Sequence, residues 1–395
     1  AIGPAPEGFR ADQRIDARGL IAAPGLVDLN ASLREPGQTR KGTIASETRA
    51  AAAGGVTSLC CQPDTRPVLD TPAVAELVLD RSERAGQCRV FPIGALTRNL
   101  DGEHLSELVA LRDAGCVAFT QGLASMSSNR LLRRALEYAA GADLQLIFTP
   151  QDPGLAEGGL AHEGPTATRL GLTGIPESAE TVALARDLLL VEQTGVRAHF
   201  SGLTSARSMD MLADAKARGL AVTADVAMYQ LLLCDEDLAG FSSLYHVLPP
   251  LRSSADRRAL RQAVQTGLVE AIASHHRPHE PEAKRVPFAA SEPGISSIEV
   301  LLPMALTLVA DGLLELPALL ARLTSGPAGA LRLPAGRLEP GSIADIVLFD
   351  PAAASLIGEH WLSRGDNCPL RGLGTPGRVT HTICQGKLVY QYQPG

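Results

Sequence analysis

Leu26-Val27-Asp28-Leu29-Asn30-Ala31-Ser32, followed at once by Leu33-Arg34-Glu35-Pro36-Gly37, is the stretch on which the reading of this chain turns. Its first half is an apolar run of strand length, and Pro36-Gly37 ends it in a turn. Residues two apart on a strand point the same way, so Asn30 and Ser32 are expected to face one common site. An amide and a hydroxyl are neutral oxygen donors, poorly suited to hold a metal ion there.

Outward from this strand the chain alternates apolar strand-like runs with helical patterns, the rhythm of a parallel barrel. Ala50 to Gly55 closes a helix and Val56 to Cys61 opens the next strand. Further strands are expected at Leu144 to Phe148, Val196 to Phe200 and Ala221 to Asp225. Helices are expected at Leu131 to Tyr138, Val182 to Gln193 and Met209 to Arg218, the last stopped by Gly219. From Leu333 the texture changes to Pro334, Gly336, Pro340 and Gly341. Ala344 to Asp350 and Gly377 to Tyr392 then read as short antiparallel strands.

A chain of 395 residues with 45% hydrophobic residues suits a barrel of about 250 residues or more with an appendage. Its net charge of −7, with no basic patch interleaved with aromatics, argues against a nucleic-acid partner. The most apolar run without charge, Val300 to Ala310, is 11 residues, far short of the ~20 that a membrane span needs. Seven cysteines, an odd number with no C-x-x-C pair, point to a reducing compartment, hence the cytoplasm, and Cys60-Cys61 to plain core packing.

The stretches Pro24 to Asp28, Leu33 to Gly37, Ala50 to Thr57, Tyr245 to Arg252 and Gly336 to Pro351 together resemble dihydroorotase over nearly the whole chain. The resemblance implies an α/β fold: a (β/α)8 TIM barrel of the metal-dependent amidohydrolase type over residues 24–335, with a small β-sandwich domain from the two chain ends, 1–23 and 336–395. Ala1-Ile2-Gly3-Pro4 is similar to the tail of a hairpin in that domain, so further N-terminal residues are expected before it. Active relatives use one or two metal ions to open or close a cyclic amide.

What the resemblance implies about the site is loss. Where relatives carry His-x-His, two imidazoles able to hold zinc at about 2.0–2.1 Å, this chain has Asn30 and Ser32. The acidic metal-bridging position falls on Gln121 in Phe119-Thr120-Gln121-Gly122, and the next histidine position on Thr149. His199-Phe200-Ser201-Gly202 keeps the first histidine of its motif and places Gly202 at the ligand position. The catalytic aspartate, a general base worth roughly 10²–10⁴-fold, is replaced by His275 in Ser274-His275-His276-Arg277-Pro278-His279. No two of the nine histidines are spaced i,i+2.

The residues that hold substrate in relatives are partly kept. Arg34 and His279 survive, each equally well explained by an ion pair or a loop hydrogen bond, whereas Asp64 replaces an asparagine and Leu248 another. His275, His276 and His279 have spacings that would share one helical face as a relocated metal site, but Pro278 makes the segment a poor helix. Glu47, Asp70 and Asp225 are expected to be solvated or capping charges.

The resemblance is to a non-catalytic dihydroorotase-like chain that associates with aspartate transcarbamoylase in pyrimidine biosynthesis. It implies a pseudoenzyme with no cofactor and no metal, self-associated as a dimer and bound to the catalytic chain of the transcarbamoylase, away from nucleic acid and membrane. Two other readings stand beside it: a metal-relocated or metal-independent cyclic amidohydrolase, and a non-catalytic dihydropyrimidinase-like assembly protein.

Overall fold

The computed structural model describes Gly3, Gly8, Arg10, Ala11 and residues 14–393. The N-terminal tetrapeptide read above as the tail of a hairpin lies, except for Gly3, outside the described residues.

The described chain runs β1 (Ile21–Pro24), β2 (Leu26–Ala31), α1 (Ile44–Ala53), β3 (Val56–Cys61), α2 (Pro72–Ala85), β4 (Arg89–Ala95), α3 (Leu108–Asp113), β5 (Ala118–Thr120), α4 (Asn129–Gly141) and β6 (Gln145–Phe148). After a short ladder, β7 (Ala161–His162) and β8 (Gly174–Ile175) around α5 (Pro165–Leu170), it continues through α6 (Glu177–Thr194), β9 (Arg197–Phe200), α7 (Ala206–Ala217), β10 (Val222–Ala227), α8 (Ser254–Thr266) and β11 (Ala271–Ala273). Helices α9 (Leu301–Ala310), α10 (Leu316–Leu323) and α11 (Ser325–Ala330) precede β12 (Ile346–Leu356), β13 (Gly374–Cys384) and β14 (Lys387–Gln391).

Eight parallel strands pair in the order β11-β10-β9-β6-β5-β4-β3-β2, the (β/α)8 barrel anticipated from the alternating runs. Val27, Leu29, Cys60, Ile93, Ala118, Ile147, Ala271 and Ala273 fill the barrel, with Ala328, Ala330, Leu331 and Leu333 packed among them. The alternate residues Leu26, Leu59, Cys61, Leu146 and Phe200 face the helices, as a period of two requires. Cys60 and Cys61 thus divide between the two cores, and all seven cysteines are buried and unpaired.

The sheet closes just beyond the end of β11. His276 N–H donates to Asn30 O at 3.1 Å and Ser32 N–H to His276 O at 2.9 Å. Beneath them the fully buried Asp28 accepts from Ser274 N–H at 2.7 Å. The His276 ring leaves the seam sideways, its Nε2 against Glu47 Oε2 at 2.8 Å, and its Nδ1 accepts from Ser297 N–H at 3.0 Å. Glu47 sits in the first turn of α1, whose N-cap Thr43 makes a capping box with Ser46. It is fully buried, not solvated as expected, because it also accepts from Ser363 Oγ and Arg364 N–H.

The chain ends meet in a four-stranded antiparallel sheet, β1-β12-β13-β14, with Ile21 opposite Phe349 and Ile346 opposite Ile383. This sheet lies against the end of α1: Thr382 Oγ donates to Ala52 O at 2.6 Å. A Cβ on Gly55, at φ 82°, would come within 2.7 Å of Val347, so only glycine lets α1 turn into β3 beneath the sheet.

Glu47 ties the barrel seam, α1 and the 363–364 turn together. Glu47→Ala, which strands the buried His276 ring, is expected to cost about 3–5 kcal/mol of stability, read as a lowered midpoint in urea unfolding.

Candidate functional site

Chemistry on a (β/α)8 barrel sits where the strands end, and there the predicted positions take up partners among themselves. At the centre is Asp225 on β10, fully buried. Its Oδ1 accepts from His275 Nε2 at 2.7 Å and from Gly202 N–H at 2.9 Å, and its Oδ2 from His199 Nε2 at 2.9 Å. The far nitrogen of His199 meets Thr223 Oγ at 2.8 Å. Burial alone would raise the Asp225 carboxyl, but the charge of His275 and the hydrogen bonds from both imidazoles outweigh it and hold the group well below the usual carboxylate range. The expectation that Asp225 is a solvated or capping charge is therefore corrected. The usable signal is that Val226, Ala227 and Met228 continue the apolar run beyond it, so the acid lies inside the strand.

Gly202 and His275 fit as a pair. Gly202 has φ 70°, and a Cβ built there would lie 2.7 Å from His275 Cε1. The imidazole thus fills the space that a side chain at 202 would need. His275 itself adopts φ 48°, a costly conformation for a residue with a Cβ, which turns its ring onto Asp225.

Asn30 and Ser32 do not converge as their spacing suggested. The β2–β3 pairing is irregular between Asp28 and Ala31, which breaks the period of two. Asn30 Nδ2 donates to Ser201 Oγ at 3.1 Å, leaving Oδ1 buried without a partner, and Ser32 Oγ donates to Asp64 Oδ2 at 2.9 Å. Gln121 accepts from Thr97 Oγ at 2.8 Å and donates to Leu100 O at 3.1 Å. Thr149 shares with Gln121 the wall of a cavity of about 310 Å³ bounded by Phe148, Arg186 and Asp187.

The second cluster is built on Arg34, which is buried at φ 63°. Its guanidinium donates to Pro278 O at 3.1 Å and to Asp64 Oδ2 at 3.3 Å and lies 3.2 Å from His279 Nε2. Burial pushes the His279 ring down to about 2, with Arg34, Lys41 and Lys284 adding to the shift, so it is neutral; its Nε2 also lies 3.1 Å from Pro293 O and its Nδ1 3.3 Å from Lys41 Nζ. Leu248 lies half-buried between the buried Val247 and Pro249. Asp70, expected as a capping charge, accepts from Asn99 N–H at 2.7 Å.

His275, His276 and His279 turn to Asp225, Glu47 and the Arg34 cluster respectively, so the three rings do not converge on a common ion. The segment carrying them is not helical. The donor set at the barrel mouth does not fit a divalent metal: two amides, two hydroxyls, a glycine and an imidazole already bound to a carboxylate. Among the described residues, the one group of three acidic or imidazole side chains close enough to share an ion is Asp101, Glu103 and His104, all exposed.

Barrel and chain-end sheet define a (β/α)8-barrel protein with an appended antiparallel sheet. A family model described as dihydro-orotase-like matches residues 19–208. A dihydroorotase-like protein of Pseudomonas aeruginosa is 68% identical over 391 residues, covering 99% of this chain and 92% of that protein. One from Pseudomonas putida is 65% identical over 390 residues, with 99% and 92% covered. A dihydroorotase of Syntrophus aciditrophicus is 41% identical, with 99% and 91% covered. The chain therefore belongs to the dihydroorotase-like family. Among solved structures, the L-hydantoinase of Arthrobacter aurescens matches the fold with a TM-score of 0.88 at 23% identity, over 100% of this chain and 90% of that one.

Two outcomes follow from this geometry. Gly202→Ala is expected to cost about 2–3 kcal/mol, from the positive φ and the contact with His275. In a His275→Ala background the cost is expected to fall, a non-additivity that a double-mutant cycle measures by urea unfolding. The second concerns His279. Unfolding returns the ring to about 6.5, so the unfolded state takes up a proton below that value and stability is lost as pH falls from about 6.5 towards 2. At pH 5 the expected loss is about 2 kcal/mol relative to pH 7.5, and His279→Gln should remove that share of the acid slope.

Proposed function

We propose that this chain is a non-catalytic, dihydroorotase-like subunit that assembles or stabilises the aspartate transcarbamoylase holoenzyme of pyrimidine biosynthesis, in the cytoplasm. The observation that carries the reading is that the charged groups of the barrel mouth are paired within the chain. Asp225 is occupied by two imidazoles and a backbone N–H. Arg34, which would hold the carboxylate of a substrate in relatives, is paired with Asp64 of its own chain. An anionic ligand would have to displace that carboxylate and accept its repulsion, a like-charge contact of several kcal/mol in a partly desolvated pocket.

General-base chemistry needs a carboxylate or imidazole able to reach a reacting proton, and metal-assisted hydrolysis needs an ion with an open position. The substitutions Asn30, Ser32, Gln121, Thr149 and Gly202 remove the ligands for the second. The degenerate centre and the vestigial pocket of Arg34, Asp64, Leu248 and His279 are then remnants on a retained scaffold. What remains for such a scaffold is its outer surface: a dimer of the chain bridging catalytic trimers of the transcarbamoylase closes a symmetric particle. The relatives named dihydroorotase, at 41% and 44% identity, favour this branch over a dihydropyrimidinase-like assembly protein.

Sedimentation of the chain alone and mixed with its host's aspartate transcarbamoylase tests the role, with metal content and dihydroorotate turnover assayed on the same sample. One large stoichiometric complex, no bound metal and no turnover are expected. An unchanged transcarbamoylase profile at micromolar concentration would sink the assembly role. Stoichiometric metal or turnover would restore the enzyme reading.

A further inference from the structure

We propose that the cavity between α4, α6 and the end of β6 is a binding site for a small organic cation, an ammonium or amidinium group on a compact apolar body, held by Asp187. The inference goes beyond the assembly role and does not depend on it.

The cavity of about 310 Å³ that Gln121 and Thr149 border lies to the side of the barrel mouth. Leu146 and Phe148, on the helix-facing side of β6, form one wall, and Leu132 of α4 another. Arg186 and Asp187 come from α6, and Ala124, Ser125 and Ser127 stand exposed at the rim. Neither Arg34 nor Asn30, Ser32, Gly202 or His275 lines it. At the ~30 Å³ that a water occupies in the liquid, the space holds about ten, the size of a small organic ligand.

Asp187 is the group that calls for a partner. It lies on the inward side of α6 among the buried Ala183, Leu184, Leu188 and Val191, and is 2% exposed. Of the six most deeply buried acids among the described residues, Asp28, Glu47, Glu180, Asp225 and Asp345 each accept hydrogen bonds on both carboxylate oxygens. Asp187 accepts on one. Arg186 Nε donates to its Oδ1 at 2.8 Å, and the Arg186 Nη2 contact at 2.8 Å falls on the same oxygen. Nothing among the described residues donates to Oδ2. Burial pushes the carboxyl up to about 6 against the pull of Arg186, as expected of an acid whose second oxygen has no donor.

The lining selects the charge of the ligand. Its charged side chains are Asp152, Arg186 and Asp187, and the arginine is already spent on Asp187. An anion would meet two carboxylates, whereas a cationic N–H completes Oδ2 with a charge-assisted hydrogen bond. Thr149, Gln151, Ser125 and Ser127 line the same space, and their side chains make no hydrogen bond among the described residues, so their oxygens can take the remaining N–H groups. Leu132, Leu146 and Phe148 receive the apolar body.

Isothermal titration of the full chain tests the site with three compounds of one size and shape: benzamidine, its neutral counterpart benzamide and its anionic counterpart benzoate. Benzamidine is expected to bind once per chain with a Kd of about 1 mM or tighter, benzamide at least about tenfold more weakly, and benzoate not at all. Asp187→Asn keeps the shape and removes the charge, and is expected to weaken benzamidine at least about tenfold. Ala124→Phe narrows the rim at an exposed position, so folding is not at stake, and should weaken it as much; it decides the matter if Asp187→Asn does not fold. No benzamidine binding at about ten times that Kd, benzoate binding as tightly as benzamidine, or binding that survives Ala124→Phe or a folded Asp187→Asn overturns the site.

Discussion

A carboxylate at the centre of a barrel mouth, shut away from water, has to be neutralised where it stands, because an unpaired buried charge costs several kcal/mol. Asp225 meets that demand with three donors carried by three different segments: His199 at the end of β9, Gly202 in the loop after it, and His275 just past β11. Each donor imposes a further condition. His275 reaches the carboxylate through a positive φ, its ring then claims the volume above residue 202, and residue 202 is left with glycine as its one comfortable occupant. A single buried acid thereby fixes backbone conformation at two loops and side-chain identity at three positions.

The same logic recurs around the rim. Arg34 is closed off by Asp64, Pro278 O and a neutral His279, and His276 by Glu47 on one nitrogen and two backbone N–H groups on the other. These clusters join residues more than two hundred positions apart in sequence, and they do so where the first and last barrel strands must meet. Burying paired polar groups seldom adds net stability over a well-packed apolar alternative. What it contributes here is geometry: each group has one arrangement in which its partners are satisfied, so the loops above the barrel are held in one register.

The barrel was legible from short-range signals. Val56 to Cys61 is a strand at the residues the apolar run predicts, and the helices expected at Leu131, Val182 and Met209 lie within or across α4, α6 and α7. Strands β5 and β11, three residues each, were not legible, because so short a run of small residues has no period to read. The mouth was legible only in part. Which residue types occupy the strand ends could be read directly, and those types already speak against a metal. Their partners could not be read, since Glu47 with His276 and Asp225 with His275 are pairings made by the closed barrel and by nothing local. A charged residue flanked on both sides by apolar ones, as Asp28 and Asp225 are, is the pattern that marks such a buried acid.

An interior that satisfies itself also changes what the exterior can mean. In a barrel that binds substrate, polar groups at the strand ends are left incompletely paired so that a ligand can complete them; here Asn30 Oδ1 and Asp64 Oδ1 are buried at the mouth without a partner, two acceptors that offer no grip to an anion. Exposed apolar side chains lie elsewhere, among them Val182 and Leu189 on the solvent side of α6. Apolar side chains in water are the counterpart of unpaired polar groups in a core: both are completed by a partner.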